Sequence, residues 1–243
     1  MPHLLDPLTL TAISIAFFHT ILGPDHYVPF VAMSRAGRWS LVKTAIITIL
    51  CGIGHVGSSA LLGLLGVTLG VAVFKLKGIE TFRGDVAGWL LLSFGIAYFA
   101  WGIRAALRNR PHTHWHAHAG GLVHQHEHTH YAEHVHVHDA PPLDHRAAAA
   151  KLMTPWILFT IFVFGPCEPL IPIVMYPAAQ GSYGRVLTVT LWFGAVTIVT
   201  MLAVVTTLYL GLASARLDRL ARFNHAAAGL AILACGIAVK CGL

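Results

Sequence analysis

His19, Asp25 and His26 surround a Gly23-Pro24 step inside one apolar stretch, and Cys167 and Glu168 follow a second such step, Gly165-Pro166, 142 residues later. Imidazole, carboxylate and thiolate are together a donor set for a borderline divalent metal, and a poor one for sodium or potassium. On an unbroken helix His19 and His26 share a face but stand two turns apart, about 10 Å, too far for one ion. Unwinding at Gly23-Pro24 would bring both imidazoles and the Asp25 carboxylate together. His55 is framed by Gly52, Gly54 and Gly57, and small residues let helices approach closely, so it is a further candidate nitrogen. Ionisable groups within apolar spans are costly and mark pathways. The expected metal-ligating set is therefore His19, Asp25, His26, His55, Cys167 and Glu168, with Glu168 a ligand, gate or proton acceptor.

The elements that must position these residues are set by composition. The chain is 56% hydrophobic and 11% charged, with a mean hydropathy of +0.68, whereas soluble domains carry about 25% charged residues. At about 20 residues per span, six transmembrane helices fit near 8–34, 41–74, 86–107, 154–178, 186–212 and 224–241. Gly and Pro interrupt the helical ladder, and open backbone at membrane depth is tolerated only where protein or a water-filled cavity surrounds it. Paired breaks in two halves point to a transporter's substrate site.

Superposing the two Gly-Pro steps pairs Asp25 with Cys167, His26 with Glu168, and Gly52-x-x-His55 with Gly194-x-x-Thr197; Phe94-Gly95-Ile96-Ala97 resembles Cys235-Gly236-Ile237-Ala238 at an offset of 141. Three spans per half invert the second half. The expected fold is an all-α polytopic membrane protein, six transmembrane helices in an inverted 3+3 repeat with helices one and four broken. Its parts are residues 1–107, a His-rich loop at 108–150, and residues 151–243.

The formal charge of +6 lies mostly between apolar spans, which argues for membrane orientation over nucleic acid as its cause. Eleven of the sixteen Lys and Arg residues, from Arg35 to Arg222, fall in the loops after spans one, three and five. Lys75, Lys77, Arg83, Arg185 and Lys240 fall on the other side. The positive-inside rule then predicts both termini outside and the long loop cytoplasmic, in an inner or plasma membrane. The first apolar run lacks a basic leader and continues into a full span, so no cleavable signal is expected. Cys51, Cys167, Cys235 and Cys241 show no C-x-x-C spacing and predict neither a disulfide framework nor a zinc ribbon.

The loop holds twelve histidines between His112 and His145. His112, His114, His116, His118, His124, His126, His128, His130, His134, His136 and His138 form an accessory metal-binding set, because H-x-H spacing puts two rings on one side of an extended chain. Neutral imidazole suits nickel, cobalt, copper and zinc.

The stretch His19-Thr-Ile-Leu-Gly-Pro-Asp25-His26 resembles the H-x4-D-H signature of nickel/cobalt permeases, with one more intervening residue. The six-span layout, the His-rich loop and the Gly-Pro-Asp-His element are closer to the NicO-type branch of nickel/cobalt efflux and urease-accessory-like membrane proteins. That resemblance implies a non-enzymatic carrier of Ni2+ or Co2+, with Zn2+ as a further substrate and His19, Asp25, His26 and His55 on the path. The bilayer and metal ions are then its partners, together with a second copy of the chain or a cytosolic metallochaperone. Gly165-Pro166-Cys167-Glu168-Pro169 also resembles the Pro-Cys elements of DsbD-type and cytochrome c biogenesis thiol-disulfide conductors. That alternative would use Cys167, but it finds Asp25 where the first half should hold the partner cysteine.

Overall fold

A computed structural model describes residues 6–71, 73–108, 112–117, 123–128, 145–214 and 222–242. Three helices are long and apolar enough to cross a membrane: α3 (Leu41–Thr68), α4 (Val73–Arg108) and α7 (Tyr183–Ser214). A bent pair, α1 (Pro7–Leu22) and α2 (Val28–Ala36), would be a fourth if taken as one span. Shorter apolar helical stretches lie in α5 (His145–Phe164), α6 (Leu170–Ala179) and α8 (Asn224–Lys240).

Side chains such as Leu22, Val42, Leu61, Phe82, Trp156, Leu191 and Val199 lie exposed on the outside of this bundle. In water such a surface would be a large liability, and against lipid it is the required one. The helix starts follow ordinary capping rules. Asp6 accepts the Thr9 backbone N–H at 2.8 Å, and Ser40 accepts that of Lys43 at 3.2 Å, so each supplies an acceptor to an otherwise orphaned first-turn donor.

Helix α4 departs from the span expected at 86–107, because it begins at Val73 and runs 36 residues. Lys75, Lys77, Glu80, Arg83 and Asp85 look like a charged loop in sequence, yet all lie on this helix. Glu80 is fully buried and paired with Arg83, so Arg83 is not the loop cation that the charge count took it for. The second expected span also stops earlier than residue 74, at Thr68.

In the His-rich loop, β1 (His112–Ala117) and β2 (Val123–His128) pair antiparallel, with His112 opposite His128, His114 opposite His126, and His116 opposite His124. His118, His130, His134, His136 and His138 lie outside the described residues.

The most extensive helix contact is between α4 and α8, and glycine makes it possible. Gly88, Gly95 and Gly102 recur every seven residues on α4, as do Gly229 and Gly236 on α8. A Cβ at Gly95 would stand 2.6 Å from the Leu233 backbone nitrogen, and one at Gly236 would stand 2.8 Å from that of Leu92. A seven-residue repeat keeps one stripe of the helix facing its neighbour, and glycine in that stripe lets backbone touch backbone. Elsewhere α1 packs on α7, α3 on α5, and α3 on α7.

Two buried apolar clusters fill the interior. One contains Phe30, Met33, Cys51, Leu158, Phe162 and Met201; the other contains Ala12, Ala16, Val56, Cys167, Leu170 and Phe193. Along both α1–α2 and α3 the chain passes from one cluster to the other, and His19, His26 and His55 lie at the crossing points. Because the atoms facing Gly95 are backbone and cannot swing away, Gly95→Ala should destabilise the purified protein by about 1–3 kcal/mol. Gly78→Ala, on the same helix with nothing within 4 Å of the added Cβ, should not. Unfolding midpoints in detergent micelles check this.

Candidate metal centre

Pro24 cannot donate a backbone hydrogen bond, and the helical ladder ends there. The chain goes through a single 3-10 turn, Pro24–His26, before α2 begins. The Gly23 N–H still donates to His19 O at 3.1 Å, and the His26 N–H donates to Gly23 O at 3.1 Å. Tyr27 spans the gap with its hydroxyl on Ile21 O at 3.3 Å. The two arms diverge by 83°. Glycine is needed at position 23 for room: a Cβ there would sit 2.6 Å from His26 Nδ1 and 2.8 Å from Asp25 Oδ1.

This bend brings His19 and His26 together, with ring centroids 4.8 Å apart. His55 from α3 completes a trio, 5.0 Å from the His26 ring and 6.5 Å from that of His19. One ligand atom from each of the three lies within 4.8 Å of the others. His26 and His55 are buried and His19 partly so. His26 Nε2 stands 3.3 Å from His55 Nε2. Two nitrogens held tetrahedrally on one ion at about 2.0–2.1 Å are separated by about 3.3–3.4 Å, so this edge already has the required length.

The remaining ring atoms fit the same chemistry. His26 Nδ1 faces two acceptors, Gly23 O and Asp25 Oδ1, each at 3.1 Å. In the neutral ring these two acceptors favour the proton on Nδ1, and the Nε2 lone pair then faces His55. A carboxylate on the far nitrogen of a ligating histidine is the usual way to fix its tautomer and orientation. His19 Nε2 and His55 Nδ1 are buried without a hydrogen-bond partner. A buried nitrogen left unpaired costs about 1–3 kcal/mol, and for His19 Nε2 a bound ion is one way to remove that cost.

The six expected ligands therefore separate. His19, His26 and His55 converge, and Asp25 supports His26 from behind. Cys167 is fully buried among apolar side chains, with its backbone N–H on Glu80 Oε2 at 3.0 Å and Ser59 Oγ at 3.2 Å. Glu168 is exposed, 3.4 Å from the Thr81 hydroxyl that donates to it. Neither belongs to the converging set. Glu168 instead lines a cleft of about 750 Å³ that reaches His19, Asp25 and His26, and Thr81, Asp85 and Lys240 line it too. Lys240 and Asp85 form an ion pair there, with the ammonium also over the Trp89 ring.

Sequence reasoning missed Glu80, Arg83 and Ser59, which surround the second break. The available signal was the i,i+3 spacing of Glu80 and Arg83, which puts opposite charges on one helix face. It also missed the contact of Gly165 with the site: a Cβ on Gly165 would lie 3.1 Å from His55 Nδ1.

No protein-family model matches the chain, and neither the curated proteins nor the solved structures compared with it give a match.

A methyl group at position 165 would press on the His55 ring. Gly165→Ala should weaken Zn2+ or Co2+ binding about tenfold, whereas Gly57→Ala, where an added Cβ meets nothing within 4 Å, should leave it unchanged. Competition titration against a chromophoric chelator measures both.

Proposed function

We propose that this chain is a membrane carrier of a divalent transition metal, Ni2+ or Co2+ with Zn2+ as a further substrate, and that the His19–His26–His55 trio is its transport site. The observation that carries the reading is the convergence of three imidazoles at a helix break, two of which, His19 and His26, line a cleft together with Asp25, Asp85 and Glu168. Neutral imidazole binds all three metals. Binding through deprotonated histidine is coupled to proton release. The cleft supplies one side of the access that alternating exposure needs. The resemblance to NicO-type nickel/cobalt transporters points to the same substrate class.

Six spans in an inverted 3+3 repeat belong to this proposal. It requires α1–α2 and α5–α6 to count as one broken span each, with α8 as the last. Reciprocal contacts support it. Gly52 faces Ile198 while Gly194 faces Val56, and both members of the pair are related by 142 residues. Gly95 faces Leu233 while Gly236 faces Leu92, and Gly88 faces Lys240 while Gly229 faces Phe99, all related by 141. The glycines at these contacts thus correspond between the halves at offsets of 142 and 141, which fits the repeat proposed here. In the orientation expected from charge, both termini are outside and the His-rich loop is a cytoplasmic accessory. Nothing at Cys167 favours the thiol-disulfide alternative, since the residue is fully buried and the cysteines of the described residues are unpaired.

The test is metal flux into proteoliposomes loaded with a metal-sensitive dye. Wild type and a variant lacking residues 112–145 should carry Ni2+ or Co2+, and His26→Ala should not. Asp25→Asn should retain flux while weakening apparent metal affinity about 10–100-fold. Equal flux from wild type and His26→Ala would sink the proposal.

A further inference from the structure

Glu80 and Arg83 lie one turn apart on α4, beside the break between α5 and α6, and their contacts divide the two cut ends between them. Glu80 is fully buried. Its Oε2 accepts the Cys167 backbone N–H at 3.0 Å and the Ser59 hydroxyl at 3.1 Å, and its Oε1 is paired with Arg83 Nη1. Arg83 Nη2 donates to Val163 O at 2.7 Å, Gly165 O at 3.5 Å and Ser58 Oγ at 2.6 Å. The guanidinium thus takes the last carbonyls of α5, and the carboxylate takes an N–H on the approach to α6. Each charge has the sign that complements its helix end.

The same network runs to His55 by two routes. Ser58, held by Arg83, donates to His55 O at 2.9 Å. Gly165, also held by Arg83, is the residue against which the His55 ring rests, since a Cβ there would stand 3.1 Å from Nδ1. His55 is the trio member whose Nδ1 has no hydrogen-bond partner of its own. Its ring is placed by that wall together with the contact of its Nε2 to His26 Nε2 at 3.3 Å.

We propose that Glu80 and Arg83 are positioning residues for the metal centre: by fastening the second break to α3 they set the wall that holds His55 in the trio. This rests on the metal-site reading above. The second half of the chain then shapes the site through backbone placement, and neither Cys167 nor Glu168 need touch the ion. Residues behind ligands that fix their orientation typically change metal affinity about 10–100-fold when altered.

The experiment is Co2+ titration of the full chain in detergent micelles, followed by visible d–d absorption, for wild type, His26→Ala, His55→Ala, Glu80→Gln, Arg83→Gln, Ser58→Ala and Glu80→Gln combined with His55→Ala. The trio's signal is the component that His26→Ala removes. Should His26→Ala remove nothing, the metal-site reading fails, and the positioning proposal fails with it. With that component present, Glu80→Gln and Arg83→Gln should each weaken it about tenfold and shift its spectrum towards that of His55→Ala. The combined variant should bind no more weakly than His55→Ala alone, because a group acting through His55 is non-additive with its loss.

Wild-type affinity in Glu80→Gln and Arg83→Gln, or losses that multiply in the combined variant, would overturn the positioning role while leaving the metal site intact. Ser58→Ala decides the matter if the charge variants do not elute as a folded species. A smaller loss with the same spectral shift supports the proposal, and an unchanged titration refutes it.

Discussion

Backbone opened within a lipid-facing bundle has to find its partners in protein or in a water-filled cavity, because lipid offers none. Both breaks meet this constraint by different means. At the first, the chain closes on itself: the Gly23 and His26 N–H groups find carbonyls within the turn, and Tyr27 reaches back to Ile21. At the second, α4 supplies the partners, with Arg83 on the carbonyl side and Glu80 on the N–H side. A buried ion pair is rarely a net gain in stability, but here its members also satisfy backbone that would otherwise be orphaned. Truncating either one leaves a buried charge and open main chain together.

Close helix approach is what lets these polar devices coexist with a bundle whose outer surface is apolar. The seven-residue glycine stripe on α4 and its counterpart on α8 bring two backbones into direct contact. The same helix α4 carries Glu80 one turn before Gly84 and Arg83 immediately before it, and an added Cβ at Gly84 would meet the Pro166 ring at 2.9 Å. The stripe that seats α8 and the pair that fastens the second break are thus parts of one rigid element. Its length reflects that double task, and a helix starting at residue 86 could do only the first.

The histidine trio was more legible than the spans. Gly23-Pro24 between His19 and His26 announces a bend, and the seven-residue spacing says what a bend would accomplish. His55 could be added because glycines flank it. Cys167 and Glu168 entered the expected set because their side chains are metal donors next to Gly165-Pro166, yet side-chain chemistry does not report where the backbone N–H of Cys167 goes. That hydrogen bond to Glu80 spans 87 residues of sequence. Charges at the start of α4 read as a loop for the same reason. A local window sees Lys75, Lys77, Glu80, Arg83 and Asp85 alike as polar, and only tertiary partners set Glu80 and Arg83 inside while Lys75, Lys77 and Asp85 stay exposed.

On the inverted-repeat reading, the halves have divided their labour. His19, His26 and His55 all come from the first half, while the positions matching Asp25, His26 and His55 are Cys167, Glu168 and Thr197. Cys167 fills an apolar cluster, Glu168 lines the cleft, and Thr197 is buried with its hydroxyl unpartnered. A symmetric pair of sites would offer an ion two competing positions on opposite faces. With the ligands in one half and the wall against His55 in the other, an ion is left a single position, tied to both halves through Glu80 and Arg83.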